Sequence, residues 1–390
     1  MLEDKLKTLK THDDAGRIRV MIIGLGSVGN YLLDYLLSNC DEKLEIVVAG
    51  RNAEKMQQDV NIARVAATIR RRCRSEVRVA DGVDLESVDS IVSCLKEYKP
   101  DFIVNSSRVY AGLKYGSISW TNVRAYGIWI PLSIKYIRNI MQAYERAECN
   151  ALVINTSYSD GTLPWLKTAG IACPDFGSGN LNHLIPRIRY AVAAAEGIRD
   201  YWNLDVRLAT AHFHDVVISK EGQNEGVKQL LKVFYEGREL NIDQDAILSQ
   251  CKIAMPVDAK RNMMNASSNY EIIDTILRAI RGETVERVFS PGVFGEIGGY
   301  PVCIDGKKLT AAIDDSTFTM EEMRQKNRES IALDGIESIE RGVMTYTDAL
   351  IEKTKTAFGV ELPKRVALVE VDMVAEFIMK EIIQRYLLEK

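Results

Sequence analysis

The 390-residue sequence has no long hydrophobic run, and its N-terminus lacks the basic-then-apolar pattern of a signal peptide. A transmembrane helix needs about 18 uninterrupted apolar residues, and no stretch approaches that length. Acidic and basic residues nearly balance, with a formal net charge of -4, which gives no overall attraction to nucleic acid or to anionic lipid. The sequence therefore predicts neither a membrane partner nor a nucleic-acid partner.

The seven cysteines are scattered along the chain, and none of them forms a CxxC pair. This spacing provides neither a disulfide framework nor a zinc cluster. We therefore expect no metal site and a reducing, cytoplasmic environment.

Short apolar segments alternate with helical patterns from residue 17 to about residue 178. This alternation predicts an α/β fold built on a doubly wound parallel Rossmann sheet. After residue 177 the pattern changes to helices and a glycine-rich β region, which predicts an α+β catalytic domain. The expected organisation is a polar N-terminal lead-in (1–16), a dinucleotide-binding domain (17–176), a substrate domain (177–345) and a C-terminal strand-helix extension (346–390).

Two segments of the second half carry more specific expectations. Residues 206–219 look like a strand, and residues 317–356 look like one long helix. A last strand and helix are expected over residues 366–371 and 373–388.

A glycine-rich turn follows the first predicted strand and opens an amphipathic helix. Its residues are Gly24, Leu25, Gly26, Ser27, Val28 and Gly29. In such a turn the first glycine permits the bend, the second lets the backbone approach a pyrophosphate, and the third lets the helix pack on the strand. The helix N-terminus then offers free N–H groups to the phosphates. The pattern predicts a dinucleotide site.

The second strand ends in Gly50, Arg51 and Asn52. Enzymes that use NAD usually place an acidic residue here to bind the ribose 2′-hydroxyl group. Gly50 supplies no carboxylate, and the guanidinium of Arg51 suits a phosphate. We therefore expect NADP as the cofactor.

Four further segments make the sequence similar to the lactate/malate dehydrogenase superfamily over residues 17–345. They match, in order and rough spacing, the family's strand ending in Thr-Asn-Pro-Val-Asp, its Gly-Ser-Gly segment, its catalytic-histidine segment and its late β region; these are residues 152–160, 176–182, 212–215 and 291–299. The resemblance implies that a histidine exchanges a proton with the substrate while hydride moves to or from the nicotinamide. It also implies a homo-oligomer.

The resemblance implies His214 as the proton donor or acceptor, with His212 second, and at most one of them is expected to face the cleft. A hydrogen-bonded histidine without a catalytic part is the alternative for each. Asn182 occupies the position of the family's supporting aspartate, where it can orient an imidazole but cannot stabilise its charged form. His183, at the start of a helix, is another candidate acid or base.

Other polar residues follow the strands of the predicted sheet, where ligands of such folds bind. Asn105, Ser106 and Ser107 are expected to bind the cofactor, the two serines on its nicotinamide side, and Ser157 is expected on that side as well. The cations that could hold an anionic group of the substrate are Arg108, Lys114 and Arg124. The family's carboxylate-binding arginine is replaced by Ile185. Together with Asn182, and with Ser157 at the family's Thr-Asn position, this replacement disfavours a simple 2-hydroxy acid.

These observations predict an NADP-dependent oxidoreductase that acts on a small polar carbonyl or hydroxy compound. An opine- or imine-type reductase is one alternative, and a non-catalytic NADP-binding sensor is another.

Overall fold

A computed structural model describes residues 2–39, 41–110 and 112–388. Its first half contains a six-stranded parallel sheet flanked by helices. The strands are β1 (Ile18–Ile23), β2 (Leu44–Ala49), β3 (Glu76–Val79), β4 (Phe102–Asn105), β5 (Leu152–Asn155) and β6 (Phe176–Gly177). The helices are α1 (Leu2–Asp14), α2 (Ser27–Ser38), α3 (Ala53–Arg70), α4 (Val88–Tyr98), α5 (Gly112–Asn122), α6 (Ile130–Arg146) and α7 (Ser159–Thr168).

The order of the strands is β3-β2-β1-β4-β5-β6, and every neighbouring pair is parallel. Central strands of such sheets are apolar on both faces because helices cover both sides. In β1, Met21 and Ile23 pack into one hydrophobic core, and Val20 and Ile22 pack into the other. The predicted doubly wound Rossmann sheet is confirmed. Its chain order reverses between β1 and β4, which opens a crevice beyond their carboxyl ends.

The second half is α+β, as predicted. It contains three antiparallel three-stranded sheets, β7-β8-β9, β10-β11-β12 and β13-β14-β15. The strands are β7 (Asp205–Ala209), β8 (Leu230–Tyr235), β9 (Arg238–Glu239), β10 (Val285–Pro291), β11 (Gly299–Asp305), β12 (Thr310–Ile313), β13 (Ile336–Glu340), β14 (Val343–Tyr346) and β15 (Arg365–Ala367). The helices are α8 (Leu184–Glu196), α9 (His212–Glu221), α10 (Gln244–Gln250), α11 (Asn262–Gly282), α12 (Met320–Leu333), α13 (Asp348–Phe358), α14 (Val371–Ile378) and α15 (Arg385–Leu388), with a π-helix, Met379–Gln384, before the last.

The N-terminal segment corrects the expectation of a polar lead-in. Leu6 and Leu9 of α1 are completely buried or nearly so, in the core that lies on one face of the sheet. Nζ of Lys5 forms an ion pair with the Asp175 carboxylate at 2.7 Å. Leu6 and Leu9 are three residues apart, so a helix brings them onto one face, although charged residues surround them in the sequence.

The expected strand over residues 206–219 is wrong in its second part, because β7 ends at Ala209 and α9 begins at His212. The N-cap residue, Ala211, has no capping side chain. Groups distant in sequence replace it: Asp160 accepts the N–H of His212 at 2.8 Å, and Oγ of Ser330 accepts the N–H of Ala211 at 2.9 Å. Tertiary contacts therefore start this helix.

The expected long helix over residues 317–356 is also wrong. Helix α12 ends at Leu333, and Gly335 has a φ of 88°, which stops the helix. Arg341 and Gly342, with φ of 50° and 74°, form the two-residue turn between β13 and β14. Strand β14 spans the expected boundary between residues 345 and 346 and pairs with β15.

Within the described part of the chain, no helix combines the length and the apolar character needed to cross a bilayer.

Candidate active site

A cleft of about 510 Å³ lies beyond the carboxyl ends of β1, β4 and β5. The glycine turn lines one part of it, and the start of α9 lines another. Of the residues predicted to form the site, those that line the cleft are Gly26, Ser27, Val28, Ser106, Arg108, His183 and His212.

The glycine turn has the close packing that a dinucleotide site requires. Gly24 has a φ of 91°, and a Cβ there would lie 2.9 Å from Cβ of Ser107. A Cβ on Gly29 would lie 2.3 Å from the carbonyl oxygen of Gly24. A Cβ on Gly26, by contrast, would meet no atom within 4 Å, because this position borders open space in the cleft. The backbone of Gly26 and the free N–H groups at the start of α2 can therefore receive a phosphate.

Polar side chains after β4 brace this turn. Oγ of Ser106 donates to the Gly24 carbonyl at 2.6 Å. Asn105 is fully buried and donates to Asn155 at 2.8 Å, and Oγ of Ser107 donates back to Asn105 at 2.5 Å. Asn105 and Ser107 therefore hold the ends of β4 and β5 together and do not line the cleft, which corrects the expectation that both bind the cofactor.

The end of β2 is the expected position of the adenosine ribose. Arg51 is exposed there, and no hydrogen bond or ion pair of its side chain is found among the described residues. Oδ1 of Asn52 accepts the N–H of Lys55 at 2.9 Å and so caps α3. Gly50 packs on Met56, with its Cβ position 3.1 Å from the sulfur atom. Arg51 is thus the side chain of these three that is free to meet a ligand.

His212 lies at the first turn of α9 and contacts a buried carboxylate. Its Nδ1 lies 3.0 Å from Oδ2 of Asp334, a residue with no exposed surface at the end of α12. The hydroxyl of Tyr158 donates to the same oxygen, and the Tyr158 ring packs on the imidazole with 4.7 Å between centroids. Nε2 of His212, on the other side of the ring, lies 3.4 Å from Nδ2 of Asn180. Asp334 thus fixes the ring and leaves Nε2 at the cleft wall.

The charges around His212 favour its protonated form. Burial alone would lower the pKa of His212, but the hydrogen bond to Asp334 and the negative charges of Asp334, Asp160 and Asp215 raise it to about 8. Burial also raises the pKa of Asp160, to about 6, although the positive charge of His212 opposes this change. At neutral pH the imidazole of His212 is therefore mostly protonated, and the Asp160 carboxylate is mostly ionised.

The preference for His214 is corrected by the structure. Two residues apart on a helix, His212 and His214 point about 200° apart, so only one of them faces the cleft. Nδ1 of His214 lies 2.6 Å from Oγ of Ser330, and its Nε2 lies 2.7 Å from the carbonyl oxygen of Val227. Both ring nitrogens are occupied inside the protein, and no part of His214 is exposed.

Two further expectations are corrected. Nδ2 of Asn182 donates to the Phe289 carbonyl at 2.7 Å, so Asn182 does not orient His212. Ser157 is buried, its Oγ has no partner among the described residues, and it does not line the cleft. Thr156 and Tyr158, on either side of it, do.

His183 lines the cleft from the 3₁₀ helix Asn180–His183. Burial, followed by the positive charges of Arg187 and Arg261, lowers the pKa of His183 to about 3. Its ring is therefore neutral at physiological pH, and it cannot serve as the proton donor.

Cations line the cleft together with the carboxylates of Asp160 and Asp215. Arg108, Arg261 and Lys220 line it, and neither arginine has an ion pair among the described residues. Arg124, in contrast, pairs with Glu221 and Glu225 at 2.7 Å and does not line the cleft. Its expected contact with substrate is corrected because this ion-pair network already satisfies its guanidinium. Lys114 lies in α5, but its side chain is outside the described residues.

Sequence reasoning missed Asp334, Tyr158, Asp160 and Arg261. Tyr158 carried a local signal, because it lies in residues 152–160, one of the segments that resemble the lactate/malate dehydrogenase superfamily. In the structure its φ of 47° is a left-handed conformation that a bulky residue rarely adopts. Asp334 carried none, since it lies 122 residues from His212 in the sequence.

One comparison with known proteins supports nucleotide binding at the glycine turn. The family model of the saccharopine dehydrogenase NADP binding domain matches residues 20–114, which include the glycine turn and Arg51. No curated protein matches the sequence.

Solved structures resemble most of the chain. Lactate dehydrogenase from Eimeria maxima, solved with NADH and oxamate, has a TM-score of 0.53 and 14% identity, and the match covers 81% of this chain and 93% of that one. Malate dehydrogenase from Cryptosporidium parvum has a TM-score of 0.50 and 14% identity, over 82% and 98% of the two chains. Lactate dehydrogenase from Cryptosporidium parvum, solved with lactic acid and nicotinamide adenine dinucleotide, has a TM-score of 0.50 and 15% identity, over 82% and 97%. The chain thus has the fold of the lactate and malate dehydrogenases, in a divergent form, with an N-terminal region similar to an NADP-binding domain.

Proposed function

We propose that this protein is an NADP-dependent oxidoreductase that transfers hydride between NADPH and a small, anionic carbonyl or hydroxy compound. The observation that carries the proposal is the position of the His212–Asp334 pair in the same cleft as the glycine turn. A buried acid-base group beside a phosphate cradle is what hydride transfer to a carbonyl requires.

The residues of the turn fit the cofactor. Gly26 borders open space, and α2 has no acidic residue in its first turn, so its N-terminus can hold the pyrophosphate. Arg51 would bind the 2′-phosphate with charge-assisted hydrogen bonds, which a ribose hydroxyl group cannot form equally well.

NADPH, when bound, supplies the hydride. His212 then performs the acid-base half of the reaction: its Nε2 donates a proton to the substrate oxygen as that oxygen gains negative charge, and it takes the proton back in oxidation. Asp334 acts through His212, because it holds the ring and stabilises the imidazolium.

The charges of the cleft support an anionic substrate. Arg108 and Arg261 present guanidinium groups that can bind a carboxylate through two parallel hydrogen bonds. The helix that supplies the carboxylate-binding arginine in the family has Ile185 at that position, so the cation would come from other elements here.

Fluorescence titration of the purified protein with NADPH and NADH tests the cofactor proposal. We expect NADPH to bind more tightly, and we expect Arg51→Ala to weaken NADPH binding about 10- to 100-fold while NADH binding changes little. Gly26→Val should abolish the binding of both nucleotides without changing Tm, because its side chain enters open space. Failure of the wild type to bind either nucleotide refutes the proposal, whereas a preference for NADH refutes only the selectivity.

A screen of small anionic carbonyl and imine compounds, including 2-oxo acids, for NADPH oxidation tests the catalytic proposal. We expect His212→Asn to abolish turnover and to leave NADPH affinity intact. A protein that binds NADPH tightly but oxidises it with no compound of the screen would instead be a nucleotide sensor.

A further inference from the structure

Two buried atoms in the cleft wall have no hydrogen-bond partner among the described residues. They are Nε2 of His183 and Oδ1 of Asn265. Both side chains line the cleft, and both residues are only 6% exposed. Buried polar atoms in folded proteins nearly always have partners. Two unpartnered atoms in one cleft therefore indicate that a ligand supplies the partner.

Both atoms offer lone pairs rather than protons. The His183 ring is neutral and hydrogen-bonds the backbone of Met264, which leaves Nε2 as an acceptor. Nδ2 of Asn265 donates to Asn262 at 3.3 Å, which leaves the carbonyl oxygen of its amide free. A methyl group or a carboxylate cannot satisfy such a pair. A ligand group with N–H or O–H bonds can.

The two acceptors lie close to the tip of His212. Residues three apart on a 3₁₀ helix point the same way, so His183 lies beside Asn180, whose amide is 3.4 Å from Nε2 of His212. Asn265 faces the same short helix from α11, because a Cβ on Gly179 would lie 3.8 Å from its Oδ1. The region between them adjoins the place where the reacting atom of a substrate meets His212.

We propose that His183 and Asn265 form a subsite for a hydrogen-bond donor of the substrate, a hydroxyl or an ammonium group on the carbon next to the reacting one. This inference rests on the proposed function and narrows its substrate class. A site built around such a donor strongly rejects an analogue that lacks it, because the buried acceptors would stay unpaired. Three-carbon acids that end in a methyl group, such as lactate, are therefore poor substrates.

A hydroxyl donor and an ammonium donor differ in charge, and this difference distinguishes them. Asp160 and Asp215 line the same cleft and favour an ammonium group, whereas Arg261 beside His183 disfavours one. Lactate, glycerate and isoserine form a matched series, since they differ only in bearing a methyl, hydroxymethyl or aminomethyl group next to the hydroxyl-bearing carbon.

Isothermal titration of these three acids into NADP⁺-saturated protein tests the subsite without turnover. We expect glycerate or isoserine to bind at least about tenfold more tightly than lactate. Asn265→Leu should remove this advantage without weakening the binding of lactate or NADP⁺. Asn265→Asp, which keeps the acceptor and adds a negative charge, should shift the preference toward isoserine; it also provides a folded variant if the leucine variant has a lowered Tm.

Several results would overturn the inference. Equal binding of the three acids, or no binding of any of them to a protein that does bind NADP⁺, would show that the subsite is absent and leave the cofactor assignment intact. A preference that survives in Asn265→Leu would assign it to other residues. Weaker NADP⁺ binding in that variant would assign the acceptors to the nicotinamide carboxamide. Failure of the wild type to bind NADP⁺ would instead refute the proposed function.

Discussion

Replacement of Asp334 by Asn should shift the pH dependence of the reaction, because this carboxylate sets the protonation of His212. Oδ2 of Asp334 lies 3.0 Å from Nδ1 of the imidazole, and solvent screens the pair little because Asp334 is fully buried and the His212 side chain is only 11% exposed. Asn keeps the shape of the side chain and removes its charge. It also keeps an oxygen that can accept the N–H of Tyr126, which Oδ1 of Asp334 accepts at 2.7 Å.

The magnitude follows from the pKa of His212, which is raised from 6.5 to about 8 against the effect of burial. This difference corresponds to about 2 kcal/mol in favour of the imidazolium. Without the Asp334 charge, burial should lower the pKa of His212 below 6.5. The protonated fraction at pH 7 then falls from about 0.9 to less than about 0.25, so the rate of reduction falls at least about fourfold from protonation alone. A wrong ring tautomer imposed by the Asn amide would lower it further.

The assay is kcat/KM for NADPH-dependent reduction as a function of pH. Reduction needs the protonated ring, so the wild-type rate should fall as pH rises through about 8, and the variant rate should fall at a pH at least about 1.5 units lower. Asp101→Asn is a matched control, since Asp101 also pairs with a histidine, His12, at 2.5 Å, but away from the cleft. An unchanged midpoint in a folded Asp334→Asn protein would show that Asp334 does not govern the proton donor.

Two other predictions concern substrate charge and stability. Arg108→Leu should raise KM for an anionic substrate about 10- to 100-fold. The control Arg124→Leu removes a cation that is already paired with Glu221 and Glu225, so it should change KM less than about twofold. Equal effects of the two variants in steady-state kinetics would contradict the assignment of Arg108 to substrate binding. Leu6→Ala should lower the free energy of unfolding by about 2–5 kcal/mol because Leu6 is fully buried. Lys7→Ala, at an exposed neighbouring position, is the control and should change the free energy of unfolding by less than about 0.5 kcal/mol. Equal effects of the two variants in a urea titration would mean that α1 is not part of the core.

The Rossmann sheet and its nucleotide turn could be predicted because their signals are local. The strand β1, the turn at Gly24, Gly26 and Gly29, and the start of α2 lie within about twenty consecutive residues, and each glycine has its own steric reason. Strand length, turn and helix period agree with one another there, so no distant contact was needed to interpret them.

The start of α9 could not be predicted in this way. Residues 206–219 are rich in β-branched residues, which favours a strand, and Ala211 gives no helix-capping signal. The carboxylate of Asp160 and the hydroxyl of Ser330 cap the helix from 51 and 119 residues away, respectively, as the positions of Ala211 and these two residues show. The β propensity of this segment therefore favoured a strand where the chain forms a helix. The choice between His212 and His214 depended on which of the two elements forms.

The partner of His212 illustrates why a fold can be predicted when its acid-base residues cannot. Catalysis requires a buried carboxylate at hydrogen-bond distance from one ring nitrogen, and that requirement does not specify which element supplies it. The position where the family resemblance implies a supporting aspartate holds Asn182, whose amide donates to the Phe289 carbonyl. Asp334, at the end of α12, supplies the charge instead. Contacts with the first half of the chain hold Asp334 at this place, because its Oδ1 accepts the N–H of Tyr126 at 2.7 Å and its carbonyl oxygen accepts the N–H of Gly127 at 2.8 Å. Tyr126 lies 208 residues from Asp334 in the sequence, so no local pattern could mark Asp334 as the partner of His212.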